Sequence, residues 1–316
     1  MNQFLVTLNF ALSVTGPIVL VLVIGVFLAR LGLLTGAFID AGTRLVFNVT
    51  LPCLLFVTIS QTRFEQTANL TLIAVGVFGT LALFLVAEAV AARLVDPPVD
   101  RGVVVQGIYR GNMAIIGLAY CVNAYGDVAI AAASLYIGLL SILYNVLAVI
   151  TLSRSLDRRG SLRAVVTGIV MNPLIIGILT ALPFAYFEVS LPDLLVQTGE
   201  YFAQMTLPLA LLCIGGSLSL ATLRLDSHNA LIATLGKVLF APTAMTCIAL
   251  LAGLRGMELG ILFMMSAAPT AASSYVMSRA MGGNGPLSAN IVVLTTIGSV
   301  LFTSLGITLL HLGELM

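Results

Sequence analysis

Three ionisable side chains stand inside long apolar stretches of this sequence, and they set the chemistry it can do. Arg110 lies about eight residues into the stretch 102–124 and Lys237 about nine residues into 228–253. At about 1.5 Å per helical residue, each starts roughly 12–14 Å from the end of its helix. Neither can face lipid at reasonable cost, since insertion scales charge about 2.5–3.5 kcal/mol for such a residue at a helix centre. Glu88, about four residues from the end of the stretch 68–92, can reach a headgroup layer, pair with Lys237 or Arg110, or carry a coupling proton. Two buried cations with one carboxylate leave an excess of positive charge, which favours an anionic ligand. The guanidinium fork of Arg110 matches a carboxylate. Lys237 reads equally as a ligand contact and as a snorkelling or ion-paired side chain.

The elements that must position these groups are interrupted helices. Tyr109-Arg110-Gly111-Asn112-Met113 combines glycine flexibility with an amide able to replace a lost backbone partner. Ser266-Ala267-Ala268-Pro269-Thr270-Ala271-Ala272-Ser273-Ser274 puts a proline midway along another apolar stretch, where it removes one backbone bond and clashes with the preceding turn. Unwound backbone at membrane depth survives only where it is buried in protein or lines a cavity. The two segments are therefore expected to face each other around a wet site. Half-helix N-termini there, with Gly111, Asn112, Ala268, Pro269, Thr270 and Ala271, would offer N–H groups and positive dipole ends to a carboxylate. In 128–151, Tyr144 and Asn145 are the cavity candidates, Ser134 and Gly138 on the same stripe favour close helix packing, and Ser141 fits either role. Thr295, Ser299 and Thr303 read as packing, and Asn290 is a weaker cavity candidate.

The whole chain fits that picture. Of 316 residues, 59% are apolar and 9% charged, with mean hydropathy +1.12, against about 25% charged in soluble domains. A soluble protein is excluded, and near-neutral charge without a basic tract argues against a nucleic-acid partner. Stretches such as 17–29 and 70–86 are apolar on every side, which fits helices and not the alternation of a β-barrel. Breaks in hydropathy predict ten spans: 10–30, 38–60, 68–92, 102–124, 128–151, 164–187, 193–220, 228–253, 257–279 and 286–312. The start lacks the basic region of a cleavable signal, so the first stretch is read as a retained span. One side of this arrangement holds Arg30, Arg44, Arg93, Arg101, Arg154, Arg158, Arg159, Arg163, Arg224 and Arg279, and the other holds Arg63 and Arg255. The positive-inside rule then puts both termini outside the cytoplasm of a cell (inner) membrane. Cys53, Cys121, Cys213 and Cys247 have no CxxC spacing and read as packing residues. No cofactor or metal ligand set is indicated.

One offset recurs along the chain. Thr50-Leu51-Pro52 returns 156 positions on as Thr206-Leu207-Pro208, Pro17 as Pro173, and Gly126 as Gly282. This divides the chain into a five-helix repeat, 1–151, a cytoplasmic connection, 152–163, and a second five-helix repeat, 164–316. An odd number of spans per half inverts the second half in the membrane, as in many secondary transporters.

Taken in order, Phe47-Asn48-Val49-Thr50-Leu51-Pro52, Tyr109-Arg110-Gly111-Asn112 through Gly117, Asn172-Pro173, Leu207-Pro208 with Gly215-Gly216, and Ala268-Pro269-Thr270-Ala271 resemble the auxin efflux carrier family, specifically its bacterial permeases. The resemblance implies a fold like that of the bile acid sodium symporters, all-α with ten transmembrane helices in two inverted repeats and with broken helices 4 and 9 crossing. It also implies a scaffold of helices 1, 2, 6 and 7, a transport domain of helices 3–5 and 8–10, elevator-type motion, and a homodimer through helices 2 and 7. Family substrates are small organic anions, malonate-like acids in bacteria and indole acetate in plants. The crossover asparagine of the family matches Asn112, and its second crossover proline matches Pro269. Relatives carry a proline in span 4 where this chain has Ala119, so a milder break is expected there. The long cytoplasmic loop of plant members is reduced to 152–162.

A secondary carrier for a small organic anion follows as the expected function, coupled to a proton or driven by membrane potential alone, with sodium less favoured because no second core carboxylate completes a cation cage. A channel and a non-transporting sensor of a small acid remain the alternatives. An ATP-driven pump lacks a P-loop. An intramembrane protease lacks a nucleophile and base that can meet, as His228 and His311 lie near span ends.

Overall fold

The computed structural model describes residues 2–61, 70–156, 171, 173–217 and 227–316, and their regular structure is helical. Arg63, Arg158, Arg159, Arg163, Asn172 and Arg224, together with 157–163 of the expected connection, lie outside the described residues, as does the side chain of Arg279. Residues 152–155, expected in that connection, instead form the last turn of a helix. Their N–H and carbonyl groups continue the helical hydrogen-bond ladder, which ends with the Leu156 N–H on the Leu152 carbonyl.

The helices in order are α1 (Asn2–Arg30), α2 (Gly36–Leu45), α3 (Leu51–Ser60), α4 (Leu70–Leu94), α5 (Arg101–Tyr109), α6 (Leu118–Tyr125), α7 (Val128–Ser155), α8 (Pro173–Tyr186), α9 (Asp193–Ser217), α10 (Ser227–Leu235), α11 (Ala241–Leu251), α12 (Gly256–Ala267), α13 (Ala272–Met281) and α14 (Gly285–Leu312). Among the described residues three π-turns, Val46–Thr50, Met113–Gly117 and Gly236–Phe240, join α2 to α3, lead into α6, and join α10 to α11. The prolines at 52 and 242 each follow such a turn by two residues. A residue that cannot donate is tolerated where the hydrogen-bond ladder has already been widened. Among the described residues, five stretches are long and apolar enough to cross a membrane: Gly36–Val57, Leu70–Leu94, Val128–Ser155, His228–Leu251 and Gly285–Leu312. Gly16–Arg30, Met113–Tyr125, Ile176–Tyr186 and Gly256–Ala267 are shorter apolar helices.

Two groups of helices build the molecule. In the first, α1 lies along α9, and α3 along α8 and α9. Here backbones almost touch. A Cβ on Gly25 would stand 2.6 Å from the Leu212 carbonyl oxygen, and one on Gly177 would stand 2.8 Å from that of Pro52. Without a hydrophobic drive between helices in lipid, such close van der Waals contact supplies the association. In the second group, α4 packs on α5 and α11, α5 on α7 and α10, α10 on α14, and α11 on α12. Its helix starts are tied by one buried carboxylate. Asp100, preceding α5, accepts hydrogen bonds from Asn229 of α10 at 3.4 Å and from Asn284, the cap of α14, at 3.1 Å. The groups meet where α1 touches α6 and α14 and α3 touches α7.

Element boundaries recur along the chain with nearly the offset of the sequence motifs. The stretch Leu70–Leu94 answers to Ser227–Leu251, the start of α5 at Arg101 to that of α12 at Gly256, and the end of α6 at Tyr125 to that of α13 at Met281. Gly126 and Gly282 follow those two ends with φ of 69° and 84°, a left-handed conformation in which a side chain would be strained.

Candidate functional site

The helices α5 and α12 stop short, at 9 and 12 residues, or roughly 14 and 18 Å, about half of a bilayer core. Their ends cross. Gly111 and Thr270 form an antiparallel bridge, isolated among the described residues, in which the Asn112 N–H donates to the Pro269 carbonyl at 2.7 Å and the Ala271 N–H to the Arg110 carbonyl at 3.0 Å. Each broken strand thus supplies what the other lost, which is how irregular backbone is satisfied away from water. The milder break expected from Ala119 is not what forms. Without a proline, Arg110 (φ −85°, ψ 89°) and Asn112 (φ −79°, ψ 62°) leave the helical region, because their backbone groups pair across the crossing instead of along the helix.

Side chains close the remaining gaps. The Thr270 hydroxyl donates to the Gly107 carbonyl at 2.7 Å, and the Thr270 N–H donates to the Thr295 hydroxyl at 3.1 Å. Lys237, from the π-turn between α10 and α11, donates to the Ser266 carbonyl at 3.0 Å. Thr295, read from sequence as packing, is thus part of the crossing.

Beside the crossing lies a cavity of about 380 Å³. Arg110, Gly111, Asn112, Met113, Ala114, Ser141, Tyr144, Asn145, Ala271, Ala272 and Ser273 line it on one side, and Phe47, Met171 and Pro173 on the other. No carboxylate is among these lining residues. Arg110 is 6% exposed, and among the described residues the groups its guanidinium meets are neutral. One terminal nitrogen donates to Gln106 at 3.2 Å and meets the Met277 sulfur at 3.1 Å, and the other donates to Asn145 at 2.7 Å. These contacts engage three of the five N–H donors in the fork. The Asn112 amide, 7% exposed, also lines the cavity. The Tyr144 hydroxyl rests against Thr80 and the main chain of Gly111. Its ring is held by an edge-on stack running from Phe84 through Tyr109, whose hydroxyl donates to the Tyr144 carbonyl at 3.2 Å.

Of the nine positions expected to touch ligand, Arg110, Gly111, Asn112, Tyr144, Asn145 and Ala271 line the cavity. Ala268, Pro269 and Thr270 stand behind it and hold the crossing. The starts of the two returning helical segments, at Met113 and Ala272, are at the cavity wall, so their free N–H groups and positive dipole ends add to the Arg110 charge. Glu88 is elsewhere. It accepts from the Thr151 hydroxyl, lies 3.4 Å from Arg154, and lines a separate cavity of about 180 Å³ with Arg101 and Arg154. The pairing with Lys237 or Arg110 that the sequence allowed is not made, because Arg154 on the neighbouring α7 is nearer. Sequence reading passed over Gln106, although its place one turn before Arg110 was a usable signal.

The profile of a family described as membrane transport protein matches the chain over residues 13–161 and 158–307. An uncharacterized transporter of Methanocaldococcus jannaschii is 27% identical over 135 residues, or 42% of this chain. The match spans 44% of that relative's length.

Proposed function

The chain belongs to the membrane transport protein family, that of the auxin efflux carriers, and from that premise we propose that it is a secondary carrier of a small organic anion, a carboxylate, across the cell membrane. One observation carries this reading: a cavity at the crossing of two broken helices holds a buried arginine whose partners among the described residues are neutral, and no lining residue is acidic. The carboxylate takes the Arg110 guanidinium, the Asn112 amide and the N–H groups that open the segments at Met113 and Ala272. Asn145 and Gln106 orient the guanidinium, and the Tyr144 hydroxyl and Ser141 border the remainder of the ligand. A cation in this cavity would meet Arg110 and two positive dipole ends, and is excluded.

In this reading the chain has ten spans in two inverted halves, with both termini extracytoplasmic. The recurrence of Gly126 at Gly282 and of the helix boundaries supports it. The two cavity walls belong to different helix groups. Phe47 and Pro173 come from the group of α1–α3, α8 and α9, while Arg110, Asn112, Asn145 and Ala271 come from the other. Sliding of the second group, the transport domain, along the first, the scaffold, would carry the ligand across in an elevator-type step. A homodimer through the scaffold helices would hold it still.

Counterflow tests the carrier directly. Proteoliposomes loaded with unlabelled substrate, from a panel of mono- and dicarboxylates, are expected to accumulate labelled substrate transiently above equilibrium. Flux without that overshoot would identify a channel, and binding without flux a sensor.

A further inference from the structure

The end of α12 is the one place at the crossing where a full charge does work that a neutral group does elsewhere. Its last regular hydrogen bond is from the Ala268 N–H to the Met264 carbonyl at 3.1 Å. Beyond it three carbonyls lose their helical donors, each for a separate reason. Pro269 has no N–H to give Met265. Thr270 gives its own to Thr295, which deprives Ser266, and Ala271 gives its own to Arg110, which deprives Ala267. The Lys237 ammonium takes the Ser266 carbonyl at 3.0 Å, and the Thr303 hydroxyl approaches the Ala267 carbonyl at 3.5 Å. The Met265 carbonyl, and that of Ala268 at the break itself, lie against Gly111 on the same side as the ammonium. From the point where a Cβ of Gly111 would stand, Lys237 Nζ is 2.9 Å away, the Met265 carbonyl oxygen 3.1 Å and the Ala268 carbonyl oxygen 3.4 Å. Lys237 is 1% exposed and has no carboxylate within ion-pairing distance among the described residues. Its charge is balanced by main-chain oxygens and by the negative end of the α12 dipole.

The matching end of α5 is managed differently. There the Gly107 carbonyl is satisfied by the neutral Thr270 hydroxyl. A hydroxyl is enough to fill one orphaned carbonyl, and a buried ammonium is costly to desolvate, so the charge at the α12 end answers a requirement for charge. We infer that the Lys237 ammonium is a resident cation, seated among the main-chain carbonyls where α12 breaks, in a seat that would otherwise take a free monovalent cation. The chain then needs no free cation to close its crossing, and Gly111 is small because the seat lies against it.

This inference rests on the carrier reading only in its transport measurement; thermal unfolding of the purified full chain tests it without any substrate. The Lys237→Ala chain should unfold below the wild type in choline chloride. Methylammonium chloride at equal ionic strength should raise its midpoint by several degrees, as a ligand bound only to the folded state does. Lys237→Met, which fills the seat with an apolar chain, should show no such rise, and the wild type should have the same midpoint in choline, sodium and methylammonium. In proteoliposomes, methylammonium should restore part of the flux that Lys237→Ala loses. A sodium-dependent rise in the wild-type midpoint would overturn the inference, and this measurement stands even if the variants do not fold. So would a Lys237→Ala chain that gains nothing from methylammonium or sodium. Thermal rescue without flux in any variant or in the wild type would leave the resident cation standing and count against the carrier.

Discussion

Arg110 is held by Gln106 and Asn145, neither of which neutralises it, and in the proposed reading the charge of the ligand does so. Hydrogen bonds to charged groups contribute about 1.5–3 kcal/mol, and about 1.4 kcal/mol is tenfold in affinity. Arg110→Gln should therefore raise the apparent KM for a carboxylate by roughly ten- to a hundredfold while leaving the yield of folded protein near that of the wild type. An unchanged KM in proteoliposome uptake would remove Arg110 from the site. Glu88 is a contrasting case. Its carboxylate is engaged by Thr151 and Arg154 in a cavity of its own, so Glu88→Gln should still concentrate substrate on an imposed pH gradient. Collapse of that gradient-driven uptake, with exchange intact, would instead make Glu88 the proton carrier. The buried Arg110, Gly111-Asn112 and Pro269 were legible in sequence because a charge inside an apolar run is costly and because glycine beside an amide, or a proline midway along the run, disturbs the helix. Their partners were not legible. That Arg110 meets Asn145, Thr270 meets Thr295 and Lys237 meets Ser266 depends on distant segments being brought together, and local pattern does not encode this.

At the scale of elements, the break in each crossing helix has its own cause. Between α12 and α13 it is covalent, since Pro269 withholds the donor that Met265 needs. Between α5 and the turn at Met113 it is tertiary, since the backbone groups of Arg110 and Asn112 are taken by Ala271 and Pro269. The covalent break could be foreseen, whereas the strength of the second, with Ala119 in place of a proline, could not. The π-turns also left no signal, because each depends on one extra residue absorbed within an otherwise ordinary apolar helix. Replacing proline by alanine inside a helix relieves about 3 kcal/mol of propensity cost. Pro269→Ala should thus join α12 to α13 and draw the Ala271 N–H back from Arg110. The expected result is a chain at least as helical by circular dichroism and no less stable to heat, but with transport reduced at least tenfold. A fully active Pro269→Ala carrier would show that the open crossing is unnecessary.

Across the whole molecule, the composition and the recurrence of motifs already marked a helical membrane protein with two related halves, and each apolar stretch recognised in the described residues is helical. The division into two helix groups was not readable from the residues alone. It depends on backbone contacts such as Gly25 with Leu212 and Gly177 with Pro52, which bring together residues far apart in sequence. If the groups slide, the cavity changes the side to which it opens. A cysteine at Ser141, in a chain whose four native cysteines are replaced, should react with a membrane-impermeant thiol reagent, and carboxylate substrate should slow the reaction. With the substrate gradient imposed in opposite directions, the reactive side should change. Labelling that is equal from both sides at once, and indifferent to substrate, would point to an open pore.

The central claim is that the crossing binds an anion and carries it across the membrane. Its most direct test is the current from proteoliposomes on a solid-supported membrane after a rapid jump to mono- or dicarboxylate, with pH and sodium varied separately and Arg110→Gln measured alongside. The account predicts a current that saturates with one class of carboxylate, is indifferent to sodium, and is lost or shifted to much higher concentration in Arg110→Gln. A saturable current evoked by organic cations, or a carboxylate current of the same concentration dependence in Arg110→Gln, would contradict it.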